Sequence, residues 1–596
     1  GTTGQEHDPT LVDAIQCQFV ADRLQATPQH VSKVLELYDS LKQRSGVILV
    51  GPSGSGKTVC RETLERVLNT LHTSPSLKDD GRTSSTKKIS GVSFSEEMPE
   101  PRRPSTTDKI RRAAGLLAKV SLSWMEVVYP AVDASVIFPD ALSVEELLGK
   151  YDLSARSWRD GILTRLVRDA TTSASAAEAL VSTQTEKRNK ALLNPPSVIQ
   201  RWLVLDGTLN PDWTESLGSL LKGDCKAMNL GHGEQLPMPD SCSVLFETTD
   251  LSTASPALIS RCSIIHCGSD VVYWKSLAES WLGSAKSHWE ATNTSLQMLT
   301  SLIDDTFGPT IDFLSRRCQP VLSADLPAAA VAKQRIVEGI QEVSSFLRIL
   351  SALCDKFLLQ EEEGSVSDSP AADGRPTPSP TPNRSATAMG HSGGLSAQAN
   401  PTTLILSMFT FSYIWGFGGH LHHRYVAAFD QFARETLSRA SFDIHLPPEG
   451  SVYDYCIDPH HGVLVPWGDR AQEKAKTLPS GYTIIPEVER YFSIMDLLLS
   501  SNCPVLLAGP PGVGKTALMQ NMVHPKHYFL KTNLSPGLSC QSFEDAIVSK
   551  LRPRSVAMAA AVTTGGRQPK TGPSHLFFLD DLHCSRMDEK TGALPC

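Results

Sequence analysis

Two eight-residue segments constrain the fold of this chain more than any other feature. Residues 51–58 read GPSGSGKT and residues 509–516 read GPPGVGKT, and both fit the pattern G-x-x-x-x-G-K-[ST]. Each follows a short apolar run, VILV or PVLLA, and precedes a segment with helical spacing of its apolar residues. A strand, a glycine loop and a helix in this order form the phosphate-binding loop of a parallel α/β domain. We therefore predict two P-loop modules.

The residue types within the two loops indicate what they bind. Glycines let the backbone curl so that successive amides point at a phosphate, while the lysine neutralises β- and γ-phosphate oxygens. The threonine hydroxyl is a ligand of Mg²⁺. The sequence therefore predicts ATP or ADP with Mg²⁺ as the ligands. The predicted nucleotide-binding residues are Gly51, Gly54, Gly56, Lys57 and Thr58 in the first module and Gly509, Gly512, Gly514, Lys515 and Thr516 in the second.

A second apolar run that ends in an acid accompanies each loop. RWLVLDG supplies Asp206 and HLFFLDDLH supplies Asp580. Because a P-loop site needs an acid at the end of a neighbouring strand to hold Mg²⁺ through water, these aspartates are predicted metal residues together with Thr58 and Thr516. The alternative is that each aspartate only ends an ordinary buried strand.

The residue after each acid determines whether water can be activated. In the first module this residue is Gly207, which has no side chain to act as a general base. In the second module it is Asp581, one methylene shorter than the glutamate of hydrolytic sites. We predict that the first site binds nucleotide without appreciable hydrolysis and that the second hydrolyses slowly, with Asp581 as its base. These residues alone leave open whether the chain is an ATPase.

The order of helix, strand, glycine loop and helix occurs twice, with the loop starts 458 residues apart (509 − 51). Two stretches rich in Ser, Pro and charge, residues 74–108 and 361–401, are predicted disordered insertions. We predict a large α/β unit over residues 1–270, an α-helical lid over 271–440 and the start of a second large unit over 441–596. The uncharged run TTLILSMFTFSYIWGFGG, residues 402–419, is predicted to be a buried helix of the lid rather than a membrane span.

Composition excludes several classes of partner. The net charge of −8 over 596 residues argues against a nucleic-acid-binding protein, and we expect no membrane partner. The 13 cysteines include no CxxC pair, which is typical of free thiols in a reducing compartment. The histidines of GHLHHR have no cysteine or carboxylate nearby to complete a metal site.

Longer segments resemble a known family. KVLELYDSLKQRSGVILVGPSGSGKT, SARSWRDGILTRLVR, WLVLDGTLNPDWTESLGSLL and VLFETTDLSTASPALISRC are similar to the second AAA+ module of dynein heavy chains. YIWGFGGHLHHRYVAAFDQFARE resembles the helical region that closes that module. PEVERYFSIMDLLLSSNCPVLLAGPPGVGKT, with SFEDAIVSKL and LFFLDDLH, resembles the start of the third module. The resemblance implies an α/β fold of P-loop AAA+ modules, each a parallel sheet flanked by helices, with an intervening helical lid.

The resemblance also implies roles for individual residues. Dynein heavy chains close six AAA+ modules into a ring whose main hydrolytic site is in the first module, which we expect this chain to lack. The second module binds nucleotide structurally and the third regulates. Arg261, in LISRC, matches the arginine finger that serves the neighbouring module. Glu247 and Asp250 match the region that senses the γ-phosphate. Three residues before the second P-loop match positions near adenine: Pro486, Glu487 and Arg490.

The sequence departs from the family pattern at several points, which indicates a divergent member of the axonemal or heavy-chain-domain-containing type. The first module has a long insertion after its P-loop helix, and His583 replaces the usual asparagine after Asp581. The resemblance implies a minus-end-directed microtubule motor of the cytoskeleton in a cilium or flagellum axoneme. Its partners would be the neighbouring AAA+ modules of the same chain, microtubules through regions outside this sequence, and dynein intermediate and light chains. The alternatives are a non-motor ATP-binding scaffold for cilium or sperm flagellum assembly, and another multi-module AAA+ remodeller of the midasin type.

Overall fold

The computed structural model describes fifteen stretches of the chain. They are residues 8–73, 129–152, 154–185, 199–221, 226–269, 271–289, 292–321, 336–358, 400–458, 461–468, 486–521, 527–535, 538, 542–548 and 574–584. The predicted insertion at 74–108 lies outside the described residues. So does the insertion at 361–401, except for its last two residues, where Asn400 caps a helix that begins at Pro401.

A five-stranded parallel sheet forms the centre of the first α/β unit, with the strand order β2-β5-β8-β1-β9. The strands are β1 (Gly46–Val50), β2 (Ala131–Ile137), β3 (Gly149–Asp152), β4 (Ser157–Asp160), β5 (Ile199–Asp206), β6 (Ala227–Asn229), β7 (Gln235–Pro237), β8 (Cys242–Thr248) and β9 (Ser263–His266). β3–β4 and β6–β7 are antiparallel hairpins outside this sheet.

Helices cover both faces of the sheet, as the unbroken apolar run of β1 requires. They are α1 (Pro9–Ala21), α2 (Pro28–Gln43), α3 (Lys57–Thr73), α4 (Val144–Leu148), α5 (Ile162–Thr185), α6 (Pro211–Thr214) and α7 (Pro256–Arg261). Val47 and Leu49 of β1 pack with α1, α2 and α3, whereas Ile48 and Val50 pack with α5 on the other face. The strand that precedes the first P-loop is therefore fully buried, which fixes the position of the loop.

The described residues that directly follow the first α/β unit form five helices and a hairpin, which are here called the lid region. They are α8 (Trp274–His288), α9 (Asn293–Arg317), α10 (Ile340–Leu358), α11 (Pro401–Gly418), α12 (Val426–Ser438), β10 (Tyr455–Ile457) and β11 (Leu464–Pro466). The predicted buried helix at 402–419 is confirmed as α11, whose aromatic side chains fill the largest apolar core of the described residues. None of the helices in the described ranges has the length and hydropathy of a membrane span.

The second P-loop region follows the lid. It contains α13 (Pro486–Ser500), α14 (Lys515–Asn521), β12 (His527–Asn533), β13 (Ser574–Asp580) and a helical stretch at 542–548. β12 and β13 pair in parallel, with Asn533 opposite Asp580. The prediction of a strand at 504–508 is wrong, because these residues have no regular strand conformation. In the first unit, β1 pairs with β8 and β9, and no equivalent pair of strands is present beside 504–508 among the described residues.

Short 3₁₀ turns connect several of these elements. They lie at Pro139–Ala141, Glu215–Leu217, His423–Tyr425, Val452–Asp454 and Leu582–Cys584. The turn at Pro139–Ala141 follows β2 and places Asp140 beside the end of β5, next to the predicted metal residue Asp206.

Candidate functional site

The first P-loop connects the buried strand β1 to α3. Gly54 and Gly56 both have φ of +84°, a conformation that side chains with a Cβ rarely adopt. Lys57 bends back over the loop, and its Nζ donates hydrogen bonds to the carbonyl oxygens of Gly51 at 2.8 Å and Pro52 at 3.0 Å. Burial lowers the pKa of Lys57 below its usual value. The loop has the curled backbone and the anchored cation that a phosphate group requires.

The second P-loop repeats this geometry. Gly512 and Gly514 have φ of +84° and +85°, and Lys515 Nζ donates to the carbonyl oxygens of Gly509 and Pro510, both at 2.8 Å. The surroundings of the two loops differ. A Cβ added at Gly512 or Gly514 would meet no atom of the described residues within 4 Å. The two loops therefore share the hydrogen bonds of their lysines, as the internal repeat in the sequence predicts. They differ in the residues that pack against the loop glycines.

The lid covers the first loop. A Cβ at Gly54 would lie 3.1 Å from Ile340 of α10, and one at Gly56 would lie 2.8 Å from Val272 and 3.1 Å from His30 Nε2. The amide of Val337 donates to the carbonyl oxygen of Ser53 at 3.0 Å. Backbone contact and apolar packing thus attach the lid helices directly to the phosphate loop.

A cavity of about 330 Å³ lies beside the covered loop. Its walls come from the start of α2, from the P-loop, and from α8 and α10 of the lid. This volume lies in the range of small-molecule sites, and contact between two subdomains is a frequent position for such sites. The cavity adjoins Lys57 and Thr58, so a nucleotide with its phosphates on the loop would extend into it.

His30 gives a test of whether this cavity suits a polar ligand. The residue is 3% exposed and lines the cavity, and its Nε2 lies near the backbone of Gly56 but has no well-aligned hydrogen-bond partner among the described residues. Burial lowers the pKa of His30 to about 4, so its imidazole is neutral near pH 7. A buried ring nitrogen without a partner is costly unless a ligand or water supplies one. The residues around the cavity therefore fit a nucleotide, with Lys57 and the loop amides for phosphate and His30 for a further polar group.

The acid that contacts Thr58 is Glu247, whereas the sequence predicts Asp206 as its acidic partner at the metal. Thr58 Oγ1 donates to Glu247 Oε2 at 2.6 Å. Arg61 Nε donates to the other oxygen of the same carboxylate, also at 2.6 Å. Asp206 lies opposite Glu247 in the β5–β8 register. Burial, followed by the nearby charge of Glu247, raises the pKa of Asp206 above its usual value.

Arg61 is a site residue that the sequence analysis missed. It belongs to the buried face of α3, three residues before Leu64 and seven before Leu68. The signal was present in the sequence, because a charged residue at core spacing on a helix needs a partner when it is buried. The identity of that partner depends on which strand lies beside β1, and the helical pattern does not contain this information.

Gly207 is enclosed by its neighbours. Its amide donates to the carbonyl oxygen of Glu247 at 3.0 Å. A Cβ at this position would lie 2.9 Å from Asp140 Oδ2 and 3.4 Å from the ring of Pro139. The space in which a catalytic glutamate would begin is therefore occupied by another carboxylate.

In the second module the predicted pair of metal residues is in contact. Thr516 Oγ1 donates to the Asp580 carboxylate, with distances of 3.1 Å to Oδ2 and 3.3 Å to Oδ1. Lys531 Nζ lies 3.0 Å from Asp580 Oδ2. Burial acts to raise the pKa of Asp580, but hydrogen bonds from Lys531 and Thr516 outweigh it and hold this pKa below its usual value. Asp581 is exposed and has φ of +58°. The two predicted second-site acids therefore differ in environment, one paired and one open to solvent.

The remaining predicted site residues contact the protein itself. Arg261 donates from its guanidinium to the carbonyl oxygen of Gly218 at 2.7 Å. Asp250 Oδ1 accepts from the amide of Ser252 at 2.8 Å. Arg490 lies 3.4 Å from Asp454 Oδ1. The other two predicted adenine-side residues, Pro486 and Glu487, open α13.

Three protein-family models match the chain. Residues 2–58 match the model described as hydrolytic ATP binding site of dynein motor region, and residues 474–595 match P-loop containing dynein motor region. Residues 388–469 match the dynein heavy chain AAA lid domain. The first match ends at Thr58, so it does not include the acid and glycine of β5 that bear on hydrolysis.

Curated relatives align along nearly the whole chain. It is 27% identical over 580 residues to dynein heavy chain domain-containing protein 1 of Homo sapiens, covering 96% of this chain and 11% of that protein. It is 24% identical to the dynein-1-beta heavy chain, flagellar inner arm I1 complex, of Chlamydomonas reinhardtii, covering 98% and 11%. It is 24% identical to dynein axonemal heavy chain 2 of Homo sapiens, covering 95% and 10%.

The chain spans about a tenth of the length of these relatives. The matched models include dynein ATP-binding regions, which implies nucleotide binding, and the parallel sheet with its P-loop is the fold that the sequence predicts. Both P-loops lie within matched ranges, and the match to the lid domain includes α11, α12 and the β10–β11 hairpin. The chain is similar to dynein heavy chains along nearly its whole length, and it contains regions that match the AAA lid and the P-loop modules of the dynein motor region.

Proposed function

We propose that the first site holds ATP or ADP as a lasting structural ligand and that the second site binds and slowly hydrolyses ATP as a regulator. The first loop is covered by the lid and adjoins a cavity, which favours long retention of a ligand. Gly207 carries the proposal, because it offers no side chain to act as a general base after Asp206, and a Cβ added there would lie 2.9 Å from Asp140 Oδ2.

At the first site, the loop amides and Lys57 would bind the phosphates. Thr58 would be a ligand of Mg²⁺, and Asp206 and Glu247 would be the acids nearest to it. When bound, Mg²⁺ neutralises phosphate charge and fixes the β- and γ-phosphates relative to the loop. His30 would contact the part of the nucleotide that enters the cavity.

At the second site, Lys515 and Thr516 would take the same roles, with Asp580 as the metal acid. Asp581 would orient or deprotonate the attacking water as a general base. Its side chain is exposed and shorter than glutamate, which favours slow turnover, because a displacement of about 1 Å at a reacting group reduces a rate by roughly 10²-fold.

The wider function follows from the family and goes beyond these sites. We infer that the parent protein is an ATP-driven, minus-end-directed microtubule motor of cilia or flagella, in which residues 1–270, 271–440 and 441–596 form a large unit, a lid and the start of the next large unit. Neighbouring modules of the same chain would be direct partners, and Arg261 would serve the site of the adjacent module. Microtubules and the intermediate and light chains would bind elsewhere. The axonemal names among the relatives support this location.

A non-motor scaffold is the second candidate. The observation that favours it is Asp581, which is exposed and shorter than glutamate, since a ring that only holds nucleotide needs little turnover at its second site. The two candidates differ in the hydrolytic module of the full-length protein, where a P-loop with a glutamate after its acid supports the motor and the loss of both supports the scaffold.

Nucleotide content after purification tests the two-site proposal. Wild-type protein, Lys57→Ala and Lys515→Ala would be denatured, and the released nucleotide would be identified and counted by chromatography. We expect Lys57→Ala to remove the nucleotide that survives purification and Lys515→Ala to remove added-ATP hydrolysis. Retention of all bound nucleotide in both variants contradicts the proposal, as does hydrolysis that is lost only with Lys57→Ala.

A further inference from the structure

A buried ion pair lies directly beneath the first P-loop. Arg61 is 4% exposed and Glu247 is 1% exposed, and the Nε–Oε1 distance is 2.6 Å. The second oxygen of Glu247 accepts the hydroxyl hydrogen of Thr58, also at 2.6 Å. Each oxygen of this carboxylate therefore accepts a hydrogen bond, one from Arg61 of the P-loop helix α3 and one from Thr58 in the first turn of the same helix.

The hydrogen bond from Thr58 to Glu247 fixes the direction in which the lone pairs of Thr58 Oγ1 point. Because Thr58 donates its only hydrogen to Glu247, the lone pairs of Oγ1 point away from that carboxylate. Arg61 belongs to the same helix as Thr58, one turn further along, so helix and carboxylate form a closed set of contacts. Charge-assisted bonds of this length in a buried setting hold their partners in a narrow range of orientations.

The second module has a different arrangement. There the loop threonine donates to Asp580, and the cation beside that acid is Lys531 of β12, a residue that is 29% exposed. The first site therefore has an acid on the strand next to β1 and a buried arginine on the P-loop helix. The second has an acid on β13 and a partly exposed lysine on the neighbouring strand β12.

We propose that Arg61 and Glu247 are positioning residues that set how strongly Mg²⁺ increases nucleotide affinity at the first site. Glu247 orients the Thr58 hydroxyl as a metal ligand, and Arg61 fixes Glu247. The inference rests on the proposed binding of nucleotide at this site. It assigns no contact with nucleotide to either residue.

The test compares nucleotide affinity with and without the metal in the full chain. All variants carry Lys515→Ala, so that the first site alone is measured, and the retained nucleotide is removed by dialysis against EDTA before the titration. The dissociation constant of ATP is determined by calorimetry in Mg²⁺ and again in EDTA. The readout is the value in EDTA divided by the value in Mg²⁺, which is large when the metal strengthens binding. A residue with only a structural role lowers stability or affects both constants, but leaves their ratio unchanged.

We expect Glu247→Gln to lower this ratio by about tenfold or more, since a charged hydrogen bond to the metal-ligating hydroxyl is replaced by a neutral one. The matched control is Glu65→Gln, because Glu65 contacts the same arginine at 3.4 Å but does not contact Thr58. The control should keep the ratio within about twofold of the parent.

Removing one partner of a buried ion pair endangers folding. The double variant Arg61→Met with Glu247→Gln is neutral and of similar volume, so it tests the same inference if Glu247→Gln does not fold. Thr58→Val gives the third arm. If Glu247 acts through Thr58, adding Glu247→Gln to Thr58→Val lowers the ratio no further.

The outcomes separate the inference from the proposed function. If the Lys515→Ala parent binds no ATP in Mg²⁺, both are wrong. If the parent binds ATP with a strong Mg²⁺ effect, and Glu247→Gln or the double variant keeps the parental ratio, the inference alone is overturned. The inference is also overturned if Glu247→Gln lowers the ratio further in the Thr58→Val background.

Discussion

Asp140 binds Thr208 through both oxygens of its carboxylate. Oδ2 accepts the Thr208 amide at 2.9 Å and Oδ1 accepts its hydroxyl at 2.6 Å. These bonds hold the turn after β5 so closely that a Cβ at Gly207 would lie 2.9 Å from Oδ2. The glycine after the predicted metal acid is therefore part of a packed turn, not an empty position that awaits a side chain.

Gly207→Glu is accordingly expected not to create an ATPase at the first site. The new side chain would overlap the Asp140 carboxylate and place a second negative charge beside it. We expect a loss of about 1–3 kcal/mol in stability from this overpacking. ATP hydrolysis by Gly207→Glu in a Lys515→Ala background should stay at the level of the Lys515→Ala parent.

Asp140→Ala provides the control for this prediction. It removes the atoms that overlap, so Gly207→Glu should cost less stability in the Asp140→Ala protein than in wild type, as measured by the shift in Tm. Equal shifts in both backgrounds would show that Asp140 is not the obstacle, and hydrolysis in the single variant would show that the turn accommodates glutamate.

Asp581 should carry the hydrolysis of the second site. It is exposed with φ of +58°, a conformation that Asp and Asn tolerate better than most residues. Asp581→Asn therefore keeps the backbone and removes only the charge. We expect hydrolysis in a Lys57→Ala background to fall by about 10²-fold or more while ATP binding persists, as measured by phosphate release and calorimetry. Unchanged hydrolysis would exclude Asp581 as the base.

Local patterns in the sequence were sufficient for the features that lie on one element. The two P-loops and the buried strand β1 are where the pattern predicts them. The predicted apolar face of α3 is also present, with Leu64, Val67 and Leu68 buried and Leu71 partly buried against the same core. The buried helix α11 also follows from its uncharged composition. In each case a single stretch of chain contains the whole signal.

Contacts between distant elements could not be predicted in the same way. Glu247 reaches Thr58 because β8 lies between β1 and β5, an order that is set by pairing over about two hundred residues of sequence. Asp140 meets Gly207 because β2 pairs with β5. The strand predicted at 504–508 was wrong for a related reason, since a strand conformation depends on partners as well as on apolar residues.

His30 should make the first α/β unit sensitive to acid. Its pKa is about 4 in the fold, because of burial, and about 6.5 when unfolded. The unfolded chain therefore gains a proton first as the pH falls, and stability is lost between pH 6.5 and pH 4. The full loss is about 3 kcal/mol. Melting of nucleotide-free protein across this range should show a steeper fall in Tm for wild type than for His30→Phe.

His445 offers the matched control for this pH dependence. Its side chain is 86% exposed, so its surroundings change little on unfolding. His445→Gln should keep the wild-type slope of Tm against pH. An identical slope for wild type and His30→Phe would show that His30 does not contribute to acid sensitivity.

Gly416 should be essential to the packing of the lid, whereas Gly283 should not. A Cβ at Gly416 of α11 would lie 2.6 Å from the Cα of Phe346 and 2.7 Å from its nitrogen, so two helix backbones are in direct contact there. Neither backbone can move without disturbing the aromatic core around Phe346. Gly416→Ala is therefore expected to lower stability by about 1–3 kcal/mol.

Gly283 of α8 is exposed and has no atom within 4 Å of an added Cβ, so Gly283→Ala should raise stability by about 0.5–1 kcal/mol through helix propensity. Opposite shifts in Tm confirm the close approach of α10 and α11, and a neutral or stabilising Gly416→Ala contradicts it.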